Sequence, residues 1–166
     1  MIEPLHGVSI YEHRLPVPLK HSEPAGETLT LYARELRADR AGSANDPCLV
    51  YLQGGPGYEA PRPLAISGWL AVALTRYRVI LLDQRGTGLS TPVDATTLAR
   101  LPSAQAQADY IACFRADAIV ADAELLRAQL SPERPWTVLG QSFGGFCTLS
   151  YLSLAPEGLA GALITG

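Results

Sequence analysis

The run Gly140-Gln141-Ser142-Phe143-Gly144-Gly145 sets one serine between glycines two residues to either side, directly after the apolar stretch Trp136-Thr137-Val138-Leu139. A serine hydroxyl attacks a carbonyl carbon only when a base takes its proton, so it must stand clear of the backbone where base and substrate both reach it. A sharp turn from strand to helix does this. Gly140 and Gly144 suit such a turn, because a Cβ at either place would strike the neighbouring backbone, and Gly145 lets the helix approach the sheet. The chemistry is acyl transfer through a covalent intermediate on Ser142. A Gly-x-Ser-x-Gly match arises by chance roughly 0.08 times in a chain of this composition. A plain Gly-Ser loop at a strand end would carry the same five residues, so context decides.

Acyl transfer places negative charge on an oxygen, and that charge needs hydrogen-bond donors. Tyr51-Leu52-Gln53-Gly54-Gly55-Pro56-Gly57 ends another apolar run, and Gly55 is the residue expected to offer a backbone N–H there. The N–H of Phe143, just after the serine, is the second, with the positive end of the following helix behind it. A phosphate-cradling loop is the alternative use of such glycines, but neither G-x-G-x-x-G nor Gly-Lys-Ser/Thr occurs. A third run, Asp83-Gln84-Arg85-Gly86-Thr87-Gly88-Leu89-Ser90, has glycines that permit a tight turn. Asp83 and Arg85 are read as structural, bonding loop backbone and bracing the oxyanion loop.

The elements around these runs specify an α/β architecture. Alternation through Val8, Ile10, Tyr11 and Leu15, a turn near Gly26, and the run Thr28-Leu29-Thr30-Leu31-Tyr32-Ala33 predict an antiparallel strand pair. Thereafter short, continuously apolar runs at 48–52, 79–82, 136–139 and 159–164 alternate with Ala- and Leu-rich stretches at 66–77, 105–130 and 143–154. That pattern predicts a mostly parallel sheet covered by helices on both faces. In the longest helix, Ile111, Phe114, Ala118, Ala121, Leu125 and Ala128 mark the apolar face, with Asp117, Asp122, Glu124 and Arg127 on the solvated or ion-paired side and Glu124 close enough to Arg127 to pair. The last run reads as a strand with no helix after it.

The chain has 166 residues, 48% hydrophobic and 17% charged, which is the composition of one globular domain. A net charge of −3 with scattered arginines provides no basic stripe, so neither nucleic acid nor an anionic membrane is expected as a partner. No leader or membrane-spanning pattern occurs, and Cys48, Cys113 and Cys147 lack metal-ligand spacing, so a cytoplasmic protein without metal or other cofactor is expected, its cysteines in the core. Cys147 reads as a small buried hydrophobe, and Trp69 and Trp136 as core anchors. Tyr58 and Glu59 face either substrate or their own loop.

Taken together and in this order, Gln53-Gly54-Gly55-Pro56-Gly57, Asp83-Gln84-Arg85-Gly86-Thr87-Gly88 and Gly140-Gln141-Ser142-Phe143-Gly144-Gly145 resemble the proline iminopeptidases, a family of α/β-hydrolases. Glu59-Ala60-Pro61-Arg62-Pro63, Phe146-Cys147 and Tyr151-Leu152-Ser153 are similar to its larger bacterial branch, and the likeness covers nearly the whole chain. The resemblance implies a serine aminopeptidase that needs no metal and releases N-terminal proline from a peptide through an acyl-enzyme. Gln53 departs from the His that many relatives carry before Gly-Gly-Pro-Gly, which bears on the branch and leaves the backbone donors unaffected.

The family's triad follows the order Ser, acid, His along the chain. After Ser142 there is no His and the only acid is Glu157; His6, His13 and His21 all precede the serine and read as structural. The triad's His and Asp or Glu are therefore expected beyond residue 166, together with the cap that would hold a substrate's amino group. The chain is read as the N-terminal part of a single α/β-hydrolase domain, without turnover by itself. Two alternatives remain: a catalytically incomplete fragment that acts by association, for which an exposed edge at 159–164 would serve, and a hydrolase of esters or longer peptides.

Overall fold

Runs of apolar residues too short for a helix settle into the middle of a sheet, where both faces are covered. In the computed structural model, which describes residues 6–166, six strands form one sheet: β1 (Val8–Pro18), β2 (Thr28–Ala38), β3 (Cys48–Leu52), β4 (Arg78–Asp83), β5 (Trp136–Gln141) and β6 (Leu159–Thr165). The expectation that the N-terminus carries no leader falls partly on residues 1–5, outside the described range. The spatial order is β1-β2-β4-β3-β5-β6; β1 and β2 pair antiparallel, β2 joins β4 antiparallel, and the rest are parallel. This is the expected α/β architecture. β3 is buried along its whole length, as its unbroken apolar run requires.

Helices cover both faces. On one, α4 (Ala116–Leu130) and α5 (Phe143–Leu154) pack Ile119, Val120, Ala123, Leu126, Cys147 and Tyr151 against Val50, Leu52, Ile80, Leu82 and Val138. On the other, α1 (Gly68–Ala73) sets Leu70 and Ala73 against Leu49, Tyr51, Val79 and Leu81. Trp136 is fully buried, but Trp69 is 39% exposed and stacks on Tyr51 with ring centroids 5.0 Å apart, at the edge of the core. Cys48 and Cys147 are buried, whereas Cys113 is only half-buried.

The segment expected to be one long helix at 105–130 is broken. α2 (Ala95–Ala99) and α3 (Ala104–Ile111) precede a 3-10 turn at Ala112–Phe114, and α4 starts only after Arg115, which is extended at φ −86°, ψ 170°. One extended residue shifts the helical phase, so the apolar face of α4 is Ala116, Ile119, Val120, Ala123 and Leu126. Leu125 and Ala128, assigned to that face from the sequence, are exposed. Of the two alternatives for Asp122, solvated or ion-paired, the structure shows the second: it is 1% exposed and pairs with Arg85; Glu124 and Arg127 also pair, at 2.6 Å. The stretch 66–77 contracts to the six residues of α1.

Glu35 on β2 is completely buried and joins three strands: it meets His13 of β1 at 2.8 Å, Arg37 of β2 at 2.6 Å and Arg78 of β4 at 2.9 Å. Burial pushes its carboxyl pKa upward, but hydrogen bonds from His13 and Arg37 and the charge of Arg78 outweigh burial and lower it from the usual 4.5 to about 2. The ionised cluster therefore stabilises the fold fully above pH 4.5, and the contribution is lost as pH falls toward 2. Glu35→Gln, which leaves the partly buried Arg37 and Arg78 without their carboxylate, should lower unfolding free energy by about 3 kcal/mol at pH 7. It should also flatten the acid limb by roughly 2 kcal/mol, measured as urea midpoints at pH 7 and pH 3. Equal midpoints for the two proteins at both pH values would contradict this role.

Candidate active site

The parallel register sets Leu52, the last residue of β3, beside Gly140 of β5, so the loops leaving the two strands run side by side. β5 ends at Gln141 and α5 begins at Phe143, leaving Ser142 alone in the turn with φ 52°, ψ −114°. Only a few per cent of non-glycine residues take a positive φ, and such a backbone stores on the order of 1–3 kcal/mol. Ser142 is held there from both sides: its N–H donates to Thr165 of β6 at 2.8 Å, and its carbonyl accepts from Phe146 of α5 at 3.2 Å. The residue is exposed, and its hydroxyl has no hydrogen-bond partner among the described residues.

Glycine is required where the backbones meet. A Cβ on Gly144 would fall inside the carbonyl oxygen of Leu52, and one on Gly140 would collide with the Gly144 carbonyl and the Thr148 hydroxyl. From the facing loop, Gly54 comes so near that a Cβ there would lie 3.1 Å from the Ser142 Cβ.

The structure therefore brings Gly55 and Phe143 to the same rim as Ser142. Among the described residues neither backbone N–H is engaged in another hydrogen bond. Gly55, exposed and at φ 130°, follows directly on the residue that abuts the serine; Phe143 is the first residue of α5. Two free amides and a helix start beside an exposed hydroxyl can stabilise a developing oxyanion.

Gln84 is a supporting residue that sequence reasoning misses. Its Nε2 donates to the Gln53 carbonyl at 3.0 Å, and the Tyr51 hydroxyl donates to Gln53 Oε1 at 2.8 Å, so the Gln53–Gly57 loop is tied at its root. The available signal is its place in the Asp83–Ser90 run, where attention falls on the charged residues. Asp83 accepts from the backbone N–H of Ala60 at 3.0 Å and of Leu89 at 2.9 Å and pairs with Arg62, so it anchors the continuation of that loop. Arg85 points to the other face. Tyr58 and Glu59 are both exposed, with the Glu59 carboxylate 3.8 Å from Arg62.

A cavity of about 620 Å³ opens beside the turn, walled by Pro56 and Gly57, by Gly86 and Phe114, and by Phe143 and Phe146. The rings of Phe143 and Phe146 stack 6.1 Å apart. Burial pushes the Cys147 thiol up to about 12, which removes it as a nucleophile. His13 and His21 are each engaged by a carboxylate, Glu35 and Asp122, and neither joins Ser142 through a hydrogen bond.

The model of a family described as alpha/beta hydrolase fold matches residues 47–165. The proline iminopeptidase of Aeromonas sobria is 55% identical over all of this chain, which spans 40% of that protein. A proline iminopeptidase of Aspergillus aculeatus is 43% identical over 93% of this chain and 36% of its own length. Among solved structures, the proline iminopeptidase-related protein of Thermus thermophilus superposes with a TM-score of 0.55 at 24% identity, covering 93% of this chain and 44% of that one. VinJ gives 0.62 at 21%, covering 92% and 43%. At those identities the structures speak for the fold.

Because Ser142 pays for its position in backbone strain, Ser142→Gly should raise unfolding free energy above that of Ser142→Ala by about 1 kcal/mol, the strain relieved exceeding the added chain entropy. Gly144→Ala should cost about 3 kcal/mol, since the Leu52 carbonyl belongs to the sheet and cannot move aside. Chemical denaturation of the three variants checks both; a Ser142→Gly protein less stable than Ser142→Ala would show the turn to be unstrained.

Proposed function

The chain belongs to the α/β-hydrolase fold family, and from that premise we propose that it is the nucleophile-bearing part of a serine aminopeptidase that releases N-terminal proline from peptides. Ser142 attacks the carbonyl carbon of the first residue, and the oxygen that becomes negative is held by the N–H groups of Gly55 and Phe143. The amine leaves, water hydrolyses the acyl-enzyme, and proline is released.

The main support is convergence: an exposed serine on a strained turn, with two uncommitted amides beside it, in a chain whose relatives at 55% and 43% identity are proline iminopeptidases. The cavity at Phe143 is the space beside the reacting carbonyl for an apolar ring such as proline. No His follows Ser142, and the chain spans about two fifths of these relatives. We therefore place the base and its acid partner on polypeptide outside these 166 residues. The edge of β6, where Leu163 and Ile164 are 52% and 48% exposed, is a surface on which that polypeptide can pack.

In the protein that carries these residues, Ser142→Ala should lower kcat for proline 4-nitroanilide by about 10⁴-fold or more while leaving KM within a few-fold. The 166 residues by themselves should neither turn over this substrate nor take up a fluorophosphonate at Ser142. A parent protein that hydrolyses 4-nitrophenyl acetate but leaves proline amides untouched would contradict the aminopeptidase reading in favour of an esterase.

A further inference from the structure

Arg85 is buried and directs its guanidinium at three separate segments. Nε donates to Asp122 Oδ2 at 2.7 Å and Nη2 to Asp122 Oδ1 at 2.6 Å, a two-pronged pair whose side chains are 0% and 1% exposed. Nη1 donates to the carbonyls of Leu19 at 2.9 Å and Cys113 at 2.7 Å, and Nη2 to that of Pro18 at 3.0 Å. The His21 Nε2 lies 2.9 Å from both Asp122 Oδ1 and Arg85 Nη2. One side chain thus ties the end of β1, the 3-10 turn and α4 to the loop after β4.

Two of those tied segments wall the cavity beside Phe143. The Arg115 break interrupts the helical hydrogen bonding that would have served the Cys113 carbonyl, and the guanidinium supplies a donor in its place. Phe114, next in sequence to Cys113, is pressed against Gly86, next in sequence to Arg85; a Cβ on Gly86 would sit 2.7 Å from the Phe114 ring. Gly86, Thr87, Phe114 and Arg115 all line the cavity. We propose that Arg85, itself part of the cavity lining, is a positioning residue for the site: paired with Asp122 and with its guanidinium committed to three backbone carbonyls, it fixes the wall of the cavity that faces Phe143. Lysine cannot replace it, because a point ammonium cannot make the two-pronged pair and still reach three carbonyls. The identity of what fills the cavity rests on the aminopeptidase reading, whereas the state of its wall can be measured without turnover.

Cys113 reports on that wall, being half-buried on the turn that Arg85 holds, while Cys48 and Cys147, 1% and 0% exposed, report on the sheet and α5. Rates of modification by 4,4′-dithiodipyridine, assigned to each cysteine by peptide mass, are compared for the chain and for Arg85→Lys, Asp122→Asn and Glu124→Gln. The last removes the other ion pair of α4, between Glu124 and Arg127, and the hydrogen bond that Glu124 accepts from the Tyr151 hydroxyl; none of these residues lines the cavity. Arg85→Lys and Asp122→Asn should each raise the Cys113 rate about tenfold or more, with Cys48 and Cys147 unchanged and Glu124→Gln silent at Cys113. Asp122→Asn decides should Arg85→Lys unfold the chain. The proposal is overturned if Asp122→Asn leaves the Cys113 rate unchanged, if all three cysteines rise together in it, or if Glu124→Gln raises Cys113 equally. Failure of the peptidase assay would leave each of these outcomes readable.

Discussion

The α carbon of Gly144 and the carbonyl oxygen of Leu52 lie so close that no side chain fits between them, and every group proposed for chemistry takes its place from that contact. It presses the first turn of α5 against the end of β3. The chain then has only one residue, Ser142, in which to turn from strand to helix, and that residue is driven to a positive φ. The same approach puts the Gln53–Gly57 loop beside the serine, so the Gly55 amide arrives at the rim as a consequence of sheet packing. A strained serine and an uncommitted amide are two results of one steric constraint.

Such a contact can persist only if its surroundings do not yield. The sheet beneath is held by β3, buried at all five positions, and by the Glu35 cluster that joins β1, β2 and β4. The loops above are held by polar ties of defined direction: Gln84 to the Gln53 carbonyl, Asp83 to the Ala60 and Leu89 amides, Ser142 to Thr165. Between them these ties join the ends of β3, β4, β5 and β6 at the same edge of the sheet.

Local chemistry is legible in the sequence; tertiary partnership is not. The apolar runs of β3 and β4 and the turn at Ser142 declare themselves because burial on both faces and close backbone approach restrict the residue types allowed. The break at Arg115 does not, since no glycine or proline marks it and the donor that the Cys113 carbonyl takes comes from Arg85, 28 residues earlier. With the break unseen, an apolar period carried straight through it emerges on the wrong face of α4. Whether Asp122 is solvated or ion-paired stays open in the sequence for the same reason: its partners lie in distant segments. Gln84 escapes notice because an uncharged amide between two charged residues attracts no attention until its acceptor is known. The absence of any His after Ser142 is fully visible, and the proposal of a base outside these residues rests on it.

The central claim is that the turn and the oxyanion loop form a ready site around Ser142, and a structure of the parent protein after reaction with a fluorophosphonate tests it most directly. The expected adduct has phosphorus bonded to Ser142 Oγ, with the phosphonyl oxygen about 2.7–3.1 Å from the backbone nitrogens of both Gly55 and Phe143 and their loops unmoved. A phosphonyl oxygen turned away from both amides, or an adduct on any other residue, would contradict it.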